Sequence, residues 1–390
     1  MARIRREVGP LELFYDLVFV FAVSQLSHHL VEHLSWRGAA QTLVLLIAVS
    51  SIWAYTTFEA TLLDIRRRPT RWTVVIAMGL GLFMNAGIAN AFADRAWLFV
   101  VPQLLILLML MIVSLVRAPD PVMRGHSERV LAWMVVYVPL WLVGAAAEPE
   151  ARLWWWAGAA LIDMIGTWLG HPVPGHVLRS EHVAFDADHM LERMRLFLIV
   201  LLGETVLTVG GAISAAHLDL PTILASAGVF VALVCLWAAY FGGGEDVVHY
   251  YVTTTVDPIR AARWGINVAY GILAGLVAMA VGSELVIAHP LGHGSAALAL
   301  LLFGGCILYL GFQAWFYGVA TRHAWGHRVI ACLACAGAGV AALWLPPLVS
   351  LALLDTILIT LALVLSGVHQ RLANQLLQRH GRDILPTDTE

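Results

Sequence analysis

Apolar runs long enough to cross a lipid bilayer follow one another almost without pause through this chain, and no other feature narrows its fold so far. A helix rising about 1.5 Å per residue needs about 20 mostly apolar residues to traverse the hydrocarbon. Such runs stand at 11–34, 38–63, 72–93, 96–117, 129–147, 152–170, 190–212, 219–241, 264–288, 295–320, 326–345 and 347–368. Backbone groups in lipid must satisfy one another, so each run predicts a helix. The sequence therefore predicts an all-α, polytopic membrane protein with about twelve transmembrane helices. With 60% hydrophobic residues, 13% charged residues and a mean hydropathy of +0.80, a soluble globular domain is excluded.

All 23 basic residues are arginines, and the net charge of -3 leaves no electrostatic footprint for a nucleic-acid partner. Their positions orient the chain instead. Alternating the runs across the bilayer puts Arg3, Arg5, Arg6, Arg66, Arg67, Arg68, Arg71, Arg117, Arg124, Arg129, Arg179, Arg193, Arg195, Arg260, Arg263, Arg322, Arg328, Arg371, Arg379 and Arg382 on one face. Only Arg37, Arg95 and Arg152 fall on the other. Loops rich in arginine stay inside, so both termini are expected in the cytoplasm. Trp36, Trp97, Trp154, Trp155, Trp156 and Trp344 then mark the outer interface, and Trp72, Trp264 and Trp325 the inner one. Met1 to Arg6 is basic like the start of a signal peptide. Glu12 and Asp16 interrupt the apolar run behind it, however, and the first run reads as a retained helix.

The stretch from Gly170 to His189, with Pro172, Pro174, Gly175 and several charges, divides the chain. The expected organisation is a six-helix half over 1–170, a cytoplasmic linker over 171–189, a second six-helix half over 190–370 and a tail over 371–390. The halves echo each other. Glu12 aligns with Glu192, Trp53-Ala54-Tyr55 with Trp237-Ala238-Ala239-Tyr240, and Arg71-Trp72 with Arg263-Trp264, although the fourth to sixth runs show no such match. Six runs per half make this a parallel repeat about an axis along the membrane normal.

Ionisable groups inside the hydrocarbon are costly, by about 2.5–3.5 kcal/mol on insertion scales, so each one needs a partner or a water-filled cavity. Glu12 and Asp16 form an i, i+4 pair on one face of the first helix, with Gln25 further along. Glu192 and Arg193 open the seventh, Glu204 lies deep within it, and Asp163 sits inside the sixth. These seven residues form the expected polar core of a transport pathway. The competing reading makes Asp16 a fastener paired with Arg193 or Arg195. His28, His29, Glu32 and His33 gather at the outer end of the first helix, where His29 and His33 have the i, i+4 spacing of two metal ligands. The three histidines are weak metal candidates on two helix faces.

His171, His176, His182, Asp186, Asp188 and His189 lack a regular ligand spacing and read as solvated linker residues. Cys235, Cys306, Cys332 and Cys335 all lie in apolar runs, which argues against disulfides, and Cys332-x-x-Cys335 reads as a packing face. Motifs for an ATPase, a serine hydrolase or a zincin are absent, so neither a cofactor nor an enzymatic activity is expected.

The run Leu11-Glu12-Leu13-Phe14-Tyr15-Asp16-Leu17-Val18-Phe19-Val20-Phe21-Ala22, followed by Gln25-Leu26, resembles the opening signature of the bacterial low temperature requirement protein A family. His189-Met190-Leu191-Glu192-Arg193, with Leu202-Gly203-Glu204 downstream, is similar to a second segment of that family, and Gly275 to Gly282 and Leu308-Tyr309-Leu310-Gly311 to later ones. Met194 stands where the family usually has Phe. The resemblance implies a polytopic bacterial inner-membrane protein associated by name with growth in the cold, with Glu12, Asp16, Glu192, Arg193 and Glu204 as signature positions.

The expected function is that of an ion or small-solute transporter or channel, in contact with the lipid bilayer and compatible with a homo-oligomer. The alternatives are a membrane-embedded enzyme acting on a lipid and a structural membrane component for growth in the cold.

Overall fold

In a computed structural model of the chain, residues 8–63, 65–117, 121–174, 185–217, 219–242, 257–320 and 325–383 are described, by main chain alone at 258, 320 and 369–383. The amino-terminal Arg3, Arg5 and Arg6, most of the linker with His176, Arg179 and His182, residues 243–256, Arg322, and the last residues of the tail lie outside this set. The described residues are helical and contain no strand. The first half comprises α1 (Pro10–Glu32), α2 (Trp36–Leu63), α3 (Arg68–Ala86), α4 (Ala96–Arg117), α5 (Pro121–Ala146) and α6 (Pro149–Leu169). The second comprises α7 (Ala187–Ala215), α8 (Leu220–Phe241) and α9 (Pro258–Ala288). It continues with α10, which runs from Ala296–Ala299 through a π-helical turn at Leu300–Gly304 into Gly305–Ala320, then α11 (Trp325–Ala341) and α12 (Pro347–Asp383).

Local chemistry sets the starts. Proline is tolerated in a helix's first turn, where the missing N–H has no partner to lose, and Pro10, Pro149 and Pro258 stand there. Asp186, Asp219 and Asp257 cap α7, α8 and α9 by accepting from the main-chain N–H three residues on. The bonds from Thr222 hold the exposed Asp219 carboxyl below its usual range.

Nine helices among the described residues are long and apolar enough to cross a membrane: α1, α2, α4, α5, α7, α8, α9, α10 and α12. The twelve runs of the sequence thus become twelve helices of unequal quality. The run at 72–93 breaks into a 19-residue α3 and a short 3-10 turn at Ile88–Asn90, with Gly87 between them so close to α4 that a Cβ would stand 2.9 Å from Phe99 N. Tryptophans and three charges dilute α6, and α11 spans only 17 residues. At the other end α12 stays helical to Asp383, into the expected tail.

Helix neighbours correspond between the halves. α1 packs on α2 and α3 as α7 does on α8 and α9; α3 packs on α4, α4 on α5 and α5 on α6 as α9 does on α10, α10 on α11 and α11 on α12. The halves meet where α1 and α2 face α7 and α9, with α6 also touching α9. Within the second half α9 and α10 approach through bare backbone. A Cβ on Gly275 would lie 2.6 Å from the Gly305 carbonyl oxygen, so neither position has room for a side chain. Large apolar side chains such as Phe14, Leu82, Val116, Val135, Leu207 and Leu333 face outward, the surface a bilayer covers. Of the nine tryptophans expected at the interfaces, Trp156 alone is buried; it donates Nε1–H to the Trp141 carbonyl at 3.1 Å instead of lying at the outer interface.

Candidate functional site

Two buried polar clusters stand where the halves meet. The first joins α1 to α7. Glu12 and Asp16 project one helical turn apart, as do His189 and Arg193, so the two pairs face each other. Arg193 Nη2 donates to Asp16 Oδ1 at 2.8 Å, its Nη1 lies 3.8 Å from Glu12 Oε1, and His189 Nε2 lies 3.3 Å from the same oxygen. Trp53 of α2 donates Nε1–H to Asp16 Oδ1 at 2.8 Å while its ring stacks on Phe197 at 4.4 Å. Gly9 N donates to Glu12 Oε2 at 2.8 Å. Arg193 also lies over the Tyr15 ring, and all four ionisable side chains are buried.

The second cluster joins α2, α6 and α9. Tyr55 donates its hydroxyl to Asp163 Oδ1 at 2.9 Å, and its oxygen lies 3.1 Å from His171 Nε2 and 3.4 Å from Thr167 Oγ1. One turn back on α2, Ser51 meets the hydroxyl of Tyr270, a residue of the second half, at 3.2 Å. Asp163 is 5% exposed and no cation pairs with it among the described residues. His171 is 3% exposed and gets there by an unusual turn. Gly170 ends α6 at φ 74, and His171 follows at φ 53, the one positive φ outside glycine among the described residues. Left-handed backbone is unfavourable for a residue with a Cβ, and more so before a proline such as Pro172. A Cβ on Gly170 would also collide with Arg263 Nη1 of α9, so the glycine lets this cation close on the turn.

The residues expected from sequence separate accordingly. Glu12, Asp16 and Arg193 come together, and Asp163 joins a different cluster. Glu192 instead lines a largely apolar cavity of about 120 Å³ beside Arg195 and Gln313. Glu204 is partly buried; eleven residues of α-helix put it on nearly the same side of α7 as Arg193, but about 16 Å further along the axis and so away from Asp16. Gln25 sits nine residues along α1 from Asp16, about 14 Å away. His29 and His33 stack with ring centroids 4.6 Å apart and His28 is exposed. Among the described residues no three His, Cys, Asp or Glu side chains are placed to hold a metal ion. His171 and His189, read from sequence as solvated, are buried.

Sequence reasoning passed over Glu59 and Asp355. Glu59 lies near the end of α2 and reaches Ser114 of α4, leaving Oε2 without a hydrogen-bond partner. Asp355 lies well inside the last apolar run, and a Cβ on Gly228 would stand 3.0 Å from its Oδ2. An acid inside an apolar run was the available signal for both.

Comparison with known proteins agrees with the opening signature. Residues 7–363 match the family described as bacterial low temperature requirement A protein (LtrA). The chain belongs to the LtrA family. A relative in Rhizobium meliloti (strain 1021), described as an uncharacterized protein, is 32% identical over 321 residues, covering 80% of this chain and 77% of the relative. Of the LtrA signature positions named from sequence, Glu12, Asp16 and Arg193 form the α1–α7 cluster, whereas Glu192 and Glu204 stand apart from it.

Proposed function

We propose that this LtrA-family protein is a transporter or channel for a small cation or solute, with Asp163 in its pathway and the Asp16–Arg193 pair as a fixed fastener between the halves. The observation that carries this reading is a buried carboxyl at the junction of the halves, bonded to neutral hydroxyls and paired with no cation among the described residues. Such a group in a bilayer must take up a proton or a cation to stay there. A lipid-modifying active site gains no comparable support, since the outer histidines do not converge with an acid.

The same reading takes the chain as twelve spans in two parallel repeats, divided at 171–189, with both termini in the cytoplasm. The corresponding helix neighbours of the two halves and the one-sided arginines support it. The test is flux of protons, potassium and sodium into liposomes. Wild type should conduct at least one of these; Asp163→Asn should abolish that flux, and Glu204→Gln, at a residue that joins neither buried cluster, should retain it. No flux of any of the three ions from folded wild-type protein would sink the cation reading.

A further inference from the structure

We propose that the species entering Asp163 is a proton, delivered by His171 through Tyr55 from a cavity walled by Glu59 and His126. This deepens the transport reading above and rests on it only for what the proton is used for.

The direction follows from counting hydrogens. Tyr55 has one hydroxyl proton and gives it to Asp163. The 3.1 Å contact with His171 must then be a bond that the imidazole donates, which places the ring proton on Nε2 and leaves Nδ1 as a lone pair. That Nδ1 is buried and has no hydrogen-bond partner among the described residues. A lone pair left unused in a buried site costs free energy, and here it is the acceptor that a relay requires.

A source lies alongside. His171, Tyr55, His126 and Arg263 border a cavity of about 60 Å³. A second, of about 30 Å³, shares Tyr55, Phe58 and His126 with the first and extends to Glu59 and Ser114. A water needs about 10–15 Å³ of such volume and two to four polar partners; both cavities have the room, and each sets polar groups, Tyr55 and His126 among them, into a mostly apolar lining. The His126 and His171 ring centroids are 5.7 Å apart. The groups facing His171 are Tyr55 from α2, His126 and Arg129 from α5, Asp163 from α6, and Arg263 and Tyr270 from α9. The arginines oppose a lasting charge on the ring, so the proton passes through and does not rest there.

The step balances. A hydronium in the adjoining cavity gives a proton to His171 Nδ1 and is left as water; His171 releases the proton on Nε2 to the Tyr55 oxygen, while Tyr55 passes its hydroxyl proton to Asp163 Oδ1. Asp163 ends as a carboxylic acid, and His171 and Tyr55 end neutral. The imidazole has exchanged one tautomer for the other, and passage in reverse resets it.

The test uses the full chain in liposomes and follows the infrared carboxyl band that Asp163→Asn removes, after a jump to acidic pH. Two variants interrupt the relay. Tyr55→Phe deletes the hydroxyl, and His171→Asn keeps a donor in a residue that tolerates left-handed backbone but cannot carry a proton. Each should slow the rise of the Asp163 band about tenfold or more, within the range a positioned acid or base supplies. A band rising as fast in both variants as in wild type overturns the relay. Proton flux in the same vesicles separates the two claims. Relay-dependent kinetics without net flux of any ion would keep the relay and remove transport; flux lost in Asp163→Asn with unchanged variant kinetics would remove the relay and keep transport.

Discussion

At the scale of single residues, the α1–α7 cluster behaves as one unit because Asp16 Oδ1 serves two donors at once, Arg193 and Trp53. Removing one partner of a buried ion pair leaves the other charged and unpaired, at a cost of about 3–5 kcal/mol. Arg193→Met should therefore lower the unfolding midpoint in detergent strongly, and adding Asp16→Asn to it should recover part of the loss. A double variant no more stable than Arg193→Met alone would show that the pair is not the fastener. Trp53→Phe keeps an aromatic ring against Phe197 and loses one bond to a carboxylate, worth about 1.5–3 kcal/mol. The acids themselves were legible in the sequence, because charge inside an apolar run is conspicuous. Their sorting was not. Glu204 and Asp16 look alike in one dimension, and eleven residues of α-helix put Glu204 on nearly the same side of α7 as Arg193; what separates it from the cluster is about 16 Å along the axis, which depends on where α1 crosses α7. His171 was hidden for a different reason: a histidine beside Pro172 and Pro174 reads as loop, and only the left-handed turn at Gly170 and His171 carries its ring back among the helices.

At the scale of elements, the seam between α9 and α10 is made of backbone. Gly275→Ala places a methyl 2.6 Å from a carbonyl oxygen that no rotamer can move, and should cost about 1–3 kcal/mol as an overpacked contact. Gly79→Ala on α3, whose added methyl meets nothing within 4 Å, should cost nothing measurable. Equal midpoints for the two variants, measured by thermal unfolding in detergent, would argue against the seam. Element starts ran ahead of the apolar runs where proline and aspartate mark them: α6 begins at Pro149 against an expected 152, and α9 at Pro258 against an expected 264. The interruption at Gly87, where the chain lies close against α4, was not legible, because hydropathy along the sequence does not report such a distance.

At the scale of the whole molecule, the arginine asymmetry makes orientation testable. The four cysteines are free, three of them buried and Cys332 partly so, which leaves a quiet background for thiol labelling. Leu34→Cys, in the α1–α2 connection, should react with a membrane-impermeant reagent in intact cells, and Arg67→Cys, in the α2–α3 connection, only after permeabilisation. The reverse result would invert the topology. Among the described residues the second half also differs from the first in carrying a π-helical turn at Leu300–Gly304 within α10. A wider turn of this kind holds one residue more than an α-helix needs, and each residue it slides past swings by about 100° around the axis, one residue's share of an α-helical turn. The helix thus contains its own swivel: it can re-face individual side chains toward α9 or α11 while its two ends stay at the membrane depth they already occupy.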